Sequence, residues 1–318
     1  MSRLTILALA AAVSAAAQVR IEKTAYKGWP NCWRVANGTV ELIVTGDVGP
    51  RIMRYAFAGG GNIFKEYDEQ LGKSGEKEYQ LRGGHRLWVA PEQLATTWAL
   101  DNGPVKISVT GDTLEATHST DSAGLEKSIR VRLADGGTAV ELVHRITNKT
   151  PWEIEFAPWA LTMMAPGGRA LTGFPPRGTH PEDLLPTNPL VMWAYTDLSD
   201  PRWGFTKKYL TLRQDPRRSA PQKIGLFHER TWAGYLLDGE LFLKQTEADA
   251  EAVYPDFGCS FEMFTNGEML EIETLGPTER VPSGETVEHV ERWSLHRGVS
   301  VTRWTDAELD RLLEPLLE

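Results

Sequence analysis

The segment Thr138–Asn148, TAVELVHRITN, alternates apolar and polar residues over most of its length. Val140, Leu142, His144 and Ile146 therefore fall on one face of an extended chain, because successive side chains of a β-strand point to opposite faces. The pattern predicts a strand that buries one face and leaves the other more polar.

The same alternation recurs on both sides of this segment. It is visible in GTVELIVTGD, KISVTGDTLEATH, SIRVRLADGG, WAGYLLDGELFLKQ and MLEIETLGP, and turn signals such as Asn37-Gly38 and Asp238-Gly239 separate the runs. No alternation of strands with helices and no internal repeat interrupts the pattern. We therefore predict an all-β chain, an antiparallel β-sandwich formed as one domain by residues 18–318.

Helical spacing is clear only at the C-terminus, in TDAELDRLLEPLLE. Leucines recur there at intervals of three and four, Thr305 stands at the N-cap position and Glu308 follows three residues later. This pattern predicts a short helix over Thr305–Leu317. The Pro- and Gly-rich stretch Ala165–Pro189 is expected to be a long loop over the sandwich.

Composition limits the partners of the chain. Its 318 residues are 41% hydrophobic and 24% charged, as in an ordinary globular protein, and the net charge is −9. The negative charge argues against nucleic acid and against an anionic membrane surface as partners. Eleven tryptophans are more than a core alone requires, so some are expected to line a groove. We expect a monomer.

The N-terminus resembles an export signal. Arg3 precedes an apolar run from Leu4 to Val13, and small residues end at Ala17. The run is too short to span a membrane, which takes about 20 apolar residues. We therefore predict a signal peptide at residues 1–17 and a periplasmic or secreted protein.

Two cysteines, Cys32 and Cys259, leave two alternatives open. They could form a disulfide in an oxidising compartment, or remain as two buried thiols. No CxxC or HxxxH spacing is present, which excludes a zinc site built on cysteine. We expect no metal and no cofactor.

The segment Arg82–Glu92, RGGHRLWVAPE, concentrates arginine, tryptophan and carboxylate side chains at one bend of the chain. These are the usual sugar-binding side chains, so the sequence indicates a carbohydrate ligand.

Four further motifs resemble the galactose mutarotase-like superfamily, which includes aldose 1-epimerases and hexose-6-phosphate mutarotases. The motifs are FEMFTNGEMLEIETLGPTERVPSGETVEHVERW at Phe261–Trp293, VGPRIMRYAFAGGGNIF, QLRGGHRLWVAPE and ITNKTPWEIEFAPWALT. The pattern also looks like an uncharacterised bacterial family within that superfamily. The resemblance implies the galactose mutarotase-like β-supersandwich.

The resemblance also implies roles for single residues. Glu273 matches the catalytic base of the superfamily, and Arg82 matches an arginine that contacts the substrate. Glu271 would share a strand face with Glu273, and two neighbouring carboxylates raise the pKa of at least one of them. Trp159 stands where the superfamily has a central histidine, so His85 is the candidate acid in its place.

The remaining candidates surround these residues in sequence. Binding roles are expected for Arg86, Trp88, Glu92, Trp159, Asp256, Asn266 and Glu271, whereas His289 is expected at the surface. We predict that Arg82, His85, Arg86 and Glu273 converge on one cleft.

Three functions stay open at this stage. The first is an exported sugar-binding protein that acts as an epimerase or mutarotase on an aldose or sugar derivative. The second is a binding protein without catalysis, which the loss of both superfamily histidines favours. The third is a polysaccharide lyase or glycoside hydrolase, although a hydrolase needs two carboxylates that straddle the bond.

Overall fold

The computed structural model describes residues 18–317, so the predicted signal at residues 1–17 lies outside the described residues. The strands within this range are β1 (Arg20–Tyr26), β2 (Trp29–Ala36), β3 (Val40–Thr45), β4 (Arg51–Phe57), β5 (His85–Ala90), β6 (Lys106–Thr110), β7 (Thr113–Thr117), β8 (Leu125–Leu133), β9 (Val140–Asn148), β10 (Ile154–Met164), β11 (Arg169–Gly173), β12 (Leu190–Met192), β13 (Trp203–Phe205), β14 (Tyr209–Arg213), β15 (Gln222–Leu226), β16 (Arg230–Leu237), β17 (Glu240–Glu247), β18 (Phe261–Thr265), β19 (Leu270–Leu275), β20 (Glu279–Val281) and β21 (Thr286–Arg297). The α-helices are α1 (Pro255–Gly258), in which Asp256 and Phe257 have positive φ, and α2 (Asp306–Leu317), and Asp68–Gln70 form a 3₁₀ turn.

The strands form two antiparallel sheets. Sheet I has the order β1-β2-β3-β4-β5-β10-β19-β18-β15-β12, with β20 beside β10. Sheet II has the order β13-β14-β11-β16-β17-β21-β9-β8-β7-β6. The antiparallel β-sandwich predicted from the alternating sequence is confirmed.

The main core lies between the two sheets. Leu270 and Ile272 of β19 share one buried cluster with Leu142 of β9 and Phe242 of β17. We call the face of sheet I that joins this cluster its inner face, and the opposite face its outer face. Trp88 and Trp159 belong to a separate cluster on the outer face.

The C-terminal helix α2 covers sheet II. Its Leu309 and Leu313 pack against Leu171, Trp232 and Leu241. The helix predicted from the leucine spacing is confirmed within one residue at its start. The expected capping box differs in detail: the Glu308 carboxylate accepts the N–H groups of Thr302 and Arg303, before the cap position, at 2.8 and 2.9 Å.

Two local expectations are corrected. The stretch Ala165–Pro189 is not a loop throughout, because Arg169–Gly173 forms β11 and pairs with both β14 and β16. His289 is not at the surface but is buried, because it points from β21 into the space between the sheets, where it contacts Thr274.

The described residues leave both cysteine thiols free and buried, Cys32 in β2 and Cys259 just after α1. No helix among residues 18–317 is long and apolar enough to cross a membrane.

Two glycines set the start of β5, the strand that carries several site candidates. Gly83 and Gly84 both have positive φ, +94° and +71°. A Cβ on Gly83 would lie 2.0 Å from the Lys65 carbonyl oxygen, and one on Gly84 would lie 2.4 Å from the Ile52 carbonyl oxygen. The backbone therefore has room for glycine alone at this bend.

Replacement of Gly84 separates steric crowding from backbone strain. We expect Gly84→Ala to lower the free energy of unfolding by about 3 kcal/mol or more, because the methyl group meets backbone. Gly59→Ala is the matched control, since Gly59 has a similar φ of +72° with nothing within 4 Å of its Cβ position. Its cost should be about 1 kcal/mol. Equal costs in urea denaturation would contradict this account.

Candidate functional site

The strand register determines which side chains share the outer face of sheet I. Leu161 of β10 lies opposite Arg86 of β5 and also opposite Glu273 of β19. Glu262 of β18 lies opposite Glu273 in turn. Directly paired residues of antiparallel strands point to the same face, so these four side chains form one row.

A second row runs beside the first. Glu271 of β19 lies opposite Phe264 of β18, and Phe264 lies opposite Lys223 of β15. Trp88 and Trp159 are paired with each other and begin a third row on the same face. Acidic, basic and aromatic side chains from five neighbouring strands therefore meet at one surface, which we call the outer-face site.

Lys223 holds two carboxylates of the outer-face site together. Its Nζ lies 2.6 Å from Glu262 Oε2 and 3.1 Å from Glu273 Oε2. The Trp159 indole N–H also donates to Glu273 Oε2, at 2.9 Å. Lys223 further lies over two indole rings, 4.7 Å from the centre of Trp159 and 4.6 Å from that of Trp193. Charge pairing and cation–π contacts together fix this ammonium group.

A second ion pair lies along the same face. Arg86 donates through Nη1 to Glu271 Oε1 at 2.8 Å, and its guanidinium lies 4.2 Å from the centre of the Trp88 ring. The Trp88 N–H donates to the Tyr79 hydroxyl. Trp88 also meets Trp159 edge to face at 5.4 Å. Each cation of the outer-face site, Lys223 and Arg86, therefore packs against at least one indole ring.

Burial changes the acidity of these groups. Burial raises the pKa of Glu271 above its ordinary value, and raises that of Glu262 further, although Arg86 and Lys223 act in the opposite direction. Burial alone would lower the pKa of Lys223, but Glu262 and Glu273 hold it above its ordinary value. Lys223 is therefore charged at neutral pH, while Glu262 takes up a proton more readily than an exposed glutamate does.

The structure does not bring all four predicted convergent residues together. Arg86 and Glu273 share the outer face, but His85 is paired with Thr162 in an adjacent row and points to the inner face. A one-residue step along a strand reverses the side-chain direction, which is why His85 and Arg86 part. Sheet I therefore separates His85 from Glu273, and an acid–base pair between them is excluded by this geometry.

Arg82 lies apart from the site as well. It has positive φ and its buried guanidinium donates to the Gln70 and Lys73 carbonyl oxygens and to Asn102 Oδ1. It also pairs with Glu76. Through these contacts Arg82 holds residues 70–76 in place. The expected role of Arg82 as a substrate contact is therefore corrected to a structural one.

The outlying candidates have local partners. Glu92 is exposed and accepts the Trp98 N–H at 3.1 Å. Asn266 accepts the N–H groups of Glu268 and Met269 through Oδ1, so it shapes the turn between β18 and β19. Asp256 lies in α1 with positive φ. Trp88, Trp159 and Glu271, by contrast, do belong to the outer-face site.

Sequence reasoning missed Lys223, Glu262 and Trp193. A signal for two of them exists: each interrupts an apolar strand, Lys223 beside Ile224 and Glu262 between Phe261 and Met263. Alternation therefore places both on the face opposite the core. Alternation does not show that β15 and β18 lie close to β19 in the sheet. The contacts of Lys223 and Glu262 with Glu273 could therefore not be predicted from the sequence.

The inner face carries a separate polar network around Lys244 of β17. Lys244 Nζ lies 2.7 Å from Glu291 Oε1 and donates to the Thr162 hydroxyl at 3.0 Å. His85 Nδ1 lies 2.9 Å from that hydroxyl, and His85 Nε2 lies 2.7 Å from His144 Nε2. All of these side chains are buried.

The His289 carbonyl oxygen can only accept a hydrogen bond, and this determines which atoms donate in the rest of the network. His144 Nδ1 must donate to the His289 carbonyl oxygen, 2.9 Å away, so neutral His144 accepts at Nε2. His85 therefore donates through Nε2 and accepts the Thr162 hydroxyl at Nδ1. The chain from Lys244 to the His289 carbonyl is complete, with each proton assigned.

Three side chains of this inner-face network offer atoms that could bind a metal ion. His85 Nε2, His144 Nε2 and a Glu291 oxygen lie within 4.8 Å of one another. Two nitrogens at zinc distances of about 2.0–2.1 Å in tetrahedral geometry lie roughly 3.3 Å apart, whereas these two lie at hydrogen-bond distance. Lys244 already supplies a cation to Glu291. The residues fit a hydrogen-bonded network better than a metal centre.

Acid should weaken the fold through the buried histidines. Burial lowers the pKa of His289 from 6.5 to about 3 and also lowers those of His85 and His144. The unfolded chain binds protons on these residues below pH 6.5 while the native chain does not, so the contribution of these histidines to stability falls as the pH falls below 6.5. Each histidine adds a slope of about 1.4 kcal/mol per pH unit.

Urea denaturation between about pH 7 and pH 5 measures this slope. His289→Gln removes one titrating group, so its stability should fall less steeply with acid than that of the wild type. Glu262 and Glu271, whose pKa values burial raises, act in the opposite direction over this range, so the test is the difference between the variant and the wild type. The same pH dependence in both proteins would contradict the assignment of a neutral buried His289.

Comparison with known proteins gives similarity in structure only. No protein-family model matches the chain, and no curated protein matches it in sequence. A Klebsiella pneumoniae protein, provisionally assigned as an aldose 1-epimerase, has a TM-score of 0.56 and 11% identity, over 93% of this chain and 86% of its own.

Two further solved structures match this chain over nearly the whole of their own length. A galactose mutarotase-like protein from Lactobacillus casei has a TM-score of 0.53 and 12% identity, over 84% of this chain and 100% of its own. One from Clostridium acetobutylicum has a TM-score of 0.51 and 8% identity, over 88% and 99%. Such identities establish shape rather than activity. The chain has the galactose mutarotase-like fold.

Proposed function

We propose that the protein binds a sugar at the outer-face site of sheet I. The observation that carries the proposal is the meeting of three indole rings with two paired cations and three carboxylates on one face. Aromatic faces pack against the C–H groups of a pyranose, and charged groups bond its hydroxyls. Trp88 and Glu271 each keep 6% exposure and Lys223 keeps 5%, so solvent reaches these side chains.

Catalysis at the anomeric carbon is a second candidate function, favoured by the contact between Glu273 and Lys223. Ring opening of an aldose removes a proton from the anomeric hydroxyl, breaks the bond between the anomeric carbon and the ring oxygen, and gives the ring oxygen a proton. Glu273 would take the hydroxyl proton, and the Lys223 ammonium, 3.1 Å from Glu273, would donate a proton to the ring oxygen as the bond breaks. Lys223 then replaces His85 in the role expected from sequence.

One substitution distinguishes sugar binding alone from catalysis at the anomeric carbon. Glu273→Gln preserves the shape of the side chain but accepts no proton at neutral pH, so sugar affinity should change by less than about threefold. Anomer exchange followed by polarimetry should fall by about 10²-fold or more. Glu155→Gln is the matched control, because Glu155 is exposed and pairs with Arg280, away from the outer-face site. Wild-type exchange no faster than the spontaneous rate, on a sugar that demonstrably binds, would leave binding without catalysis.

Tryptophan substitution tests the binding face itself. Trp88→Ala should weaken sugar binding by about tenfold, because it removes both a ring and the support of Arg86. Trp152→Ala, which truncates a tryptophan that is 64% exposed in a loop before β10, should not change affinity. Calorimetric titration of both variants, after urea denaturation confirms that they fold, measures the difference. Equal affinities would contradict the proposed face.

Export is also part of the proposal, and its support is the sequence of residues 1–17. Mass spectrometry of the protein recovered from the periplasm or medium should give an N-terminus at or near Gln18. Recovery of the chain only from the cytoplasm with Met1 or Ser2 at its N-terminus would argue against export.

A further inference from the structure

The outer-face site has more acidic than basic groups. Glu262, Glu271 and Glu273 face two cations, Arg86 and Lys223, and all five side chains are at most 8% exposed. Neutral ion pairs therefore account for two carboxylates and leave one in excess. An unpaired buried carboxylate is costly, so it takes up either a proton or a positively charged partner.

The excess belongs to Glu262 and Glu273 together, because both carboxylates share the single cation Lys223. The Glu262 side chain is fully buried, and neither of its oxygens has a hydrogen bond of good geometry, although Lys223 Nζ lies 2.6 Å from Oε2. Its register opposite Glu273 directs it to the outer face. Asp256, in the neighbouring α1, adds further negative charge to its surroundings.

Lys223 links this excess to the accessible part of the site. Its one ammonium group contacts both carboxylates and neutralises one negative charge, so a positively charged group of a ligand can pair with the other. At the edge of the site, exposed Glu268 accepts the Tyr67 hydroxyl at 3.1 Å, and Lys65 Nζ lies 4.6 Å from the centre of the Tyr67 ring. A phosphate or carboxylate group on the ligand would meet the carboxylate oxygens of the site with Arg86 and Lys223 already paired.

From this arrangement we infer that the ligand of the outer-face site is an amino sugar, held through its ammonium group by the excess carboxylate. The inference rests on the proposed sugar binding and names its substrate class. A 2-amino-2-deoxyhexose suits the geometry, because its ammonium group is on the carbon next to the anomeric centre. An anomeric hydroxyl at Glu273 therefore brings the ammonium group to the same group of carboxylates. Sugar phosphates and uronates would add a negative charge beside three carboxylates, so they are expected to bind more weakly.

Calorimetric titration with four sugars tests this inference on the intact protein. Glucosamine should bind at least about tenfold more tightly than glucose, and more tightly than N-acetylglucosamine, which has the same skeleton without the charge. Glucose 6-phosphate should bind more weakly than glucose. Titration in two buffers of different ionisation enthalpy should show proton release on glucosamine binding, because the ammonium group replaces the proton held at Glu262.

Glu262→Gln removes the excess charge with little change of shape, so it should abolish the preference for glucosamine and the proton release while glucose still binds. Glu288→Gln, an exposed carboxylate of β21 in sheet II that pairs with Arg145, should keep both. Equal binding of glucosamine and glucose by the wild type, or tighter binding of the phosphate, overturns the inference and leaves sugar binding intact. Failure of all four sugars, across a wider panel of aldoses, would instead refute the proposed function itself.

Discussion

The arrangement of the molecule depends on the register of one strand, β10, between its neighbours β5 and β19. Leu161 lies opposite both Arg86 and Glu273, and Thr162 lies opposite His85 and Ile272. This pairing sends tryptophans and ion pairs to the outer face of sheet I and histidines to the inner face. A shift of one residue would exchange the two sets and place unpaired charges in the core.

Charged side chains are buried on both faces of sheet I, and they are neutralised differently on each face. On the inner face, Lys244 neutralises Glu291, and neutral histidines complete a chain of hydrogen bonds between the sheets. On the outer face, two cations rest on indole rings and pair with three carboxylates. The inner network is satisfied by its own groups, whereas the outer one has an acidic group in excess. That difference is why we place the ligand on the outer face.

The fold could be predicted from the sequence because alternation over many short strands leaves few arrangements other than an antiparallel sandwich. Single site residues were harder. Glu271 and Glu273 were predicted on one face because they belong to one strand, and the structure agrees. His85 was grouped with Arg86 by closeness in sequence, although adjacent strand residues point in opposite directions. Lys223 and Glu262 reach Glu273 only through strand order, which no local pattern encodes.

The central claim is that a sugar occupies the outer-face site, and diffraction from crystals soaked with a sugar that binds in solution tests it most directly. The account predicts a sugar ring packed against Trp88 or Trp159, with hydroxyl groups within hydrogen-bond distance of Glu273 and Lys223. A sugar bound elsewhere on the molecule, with the outer-face site empty, would contradict it.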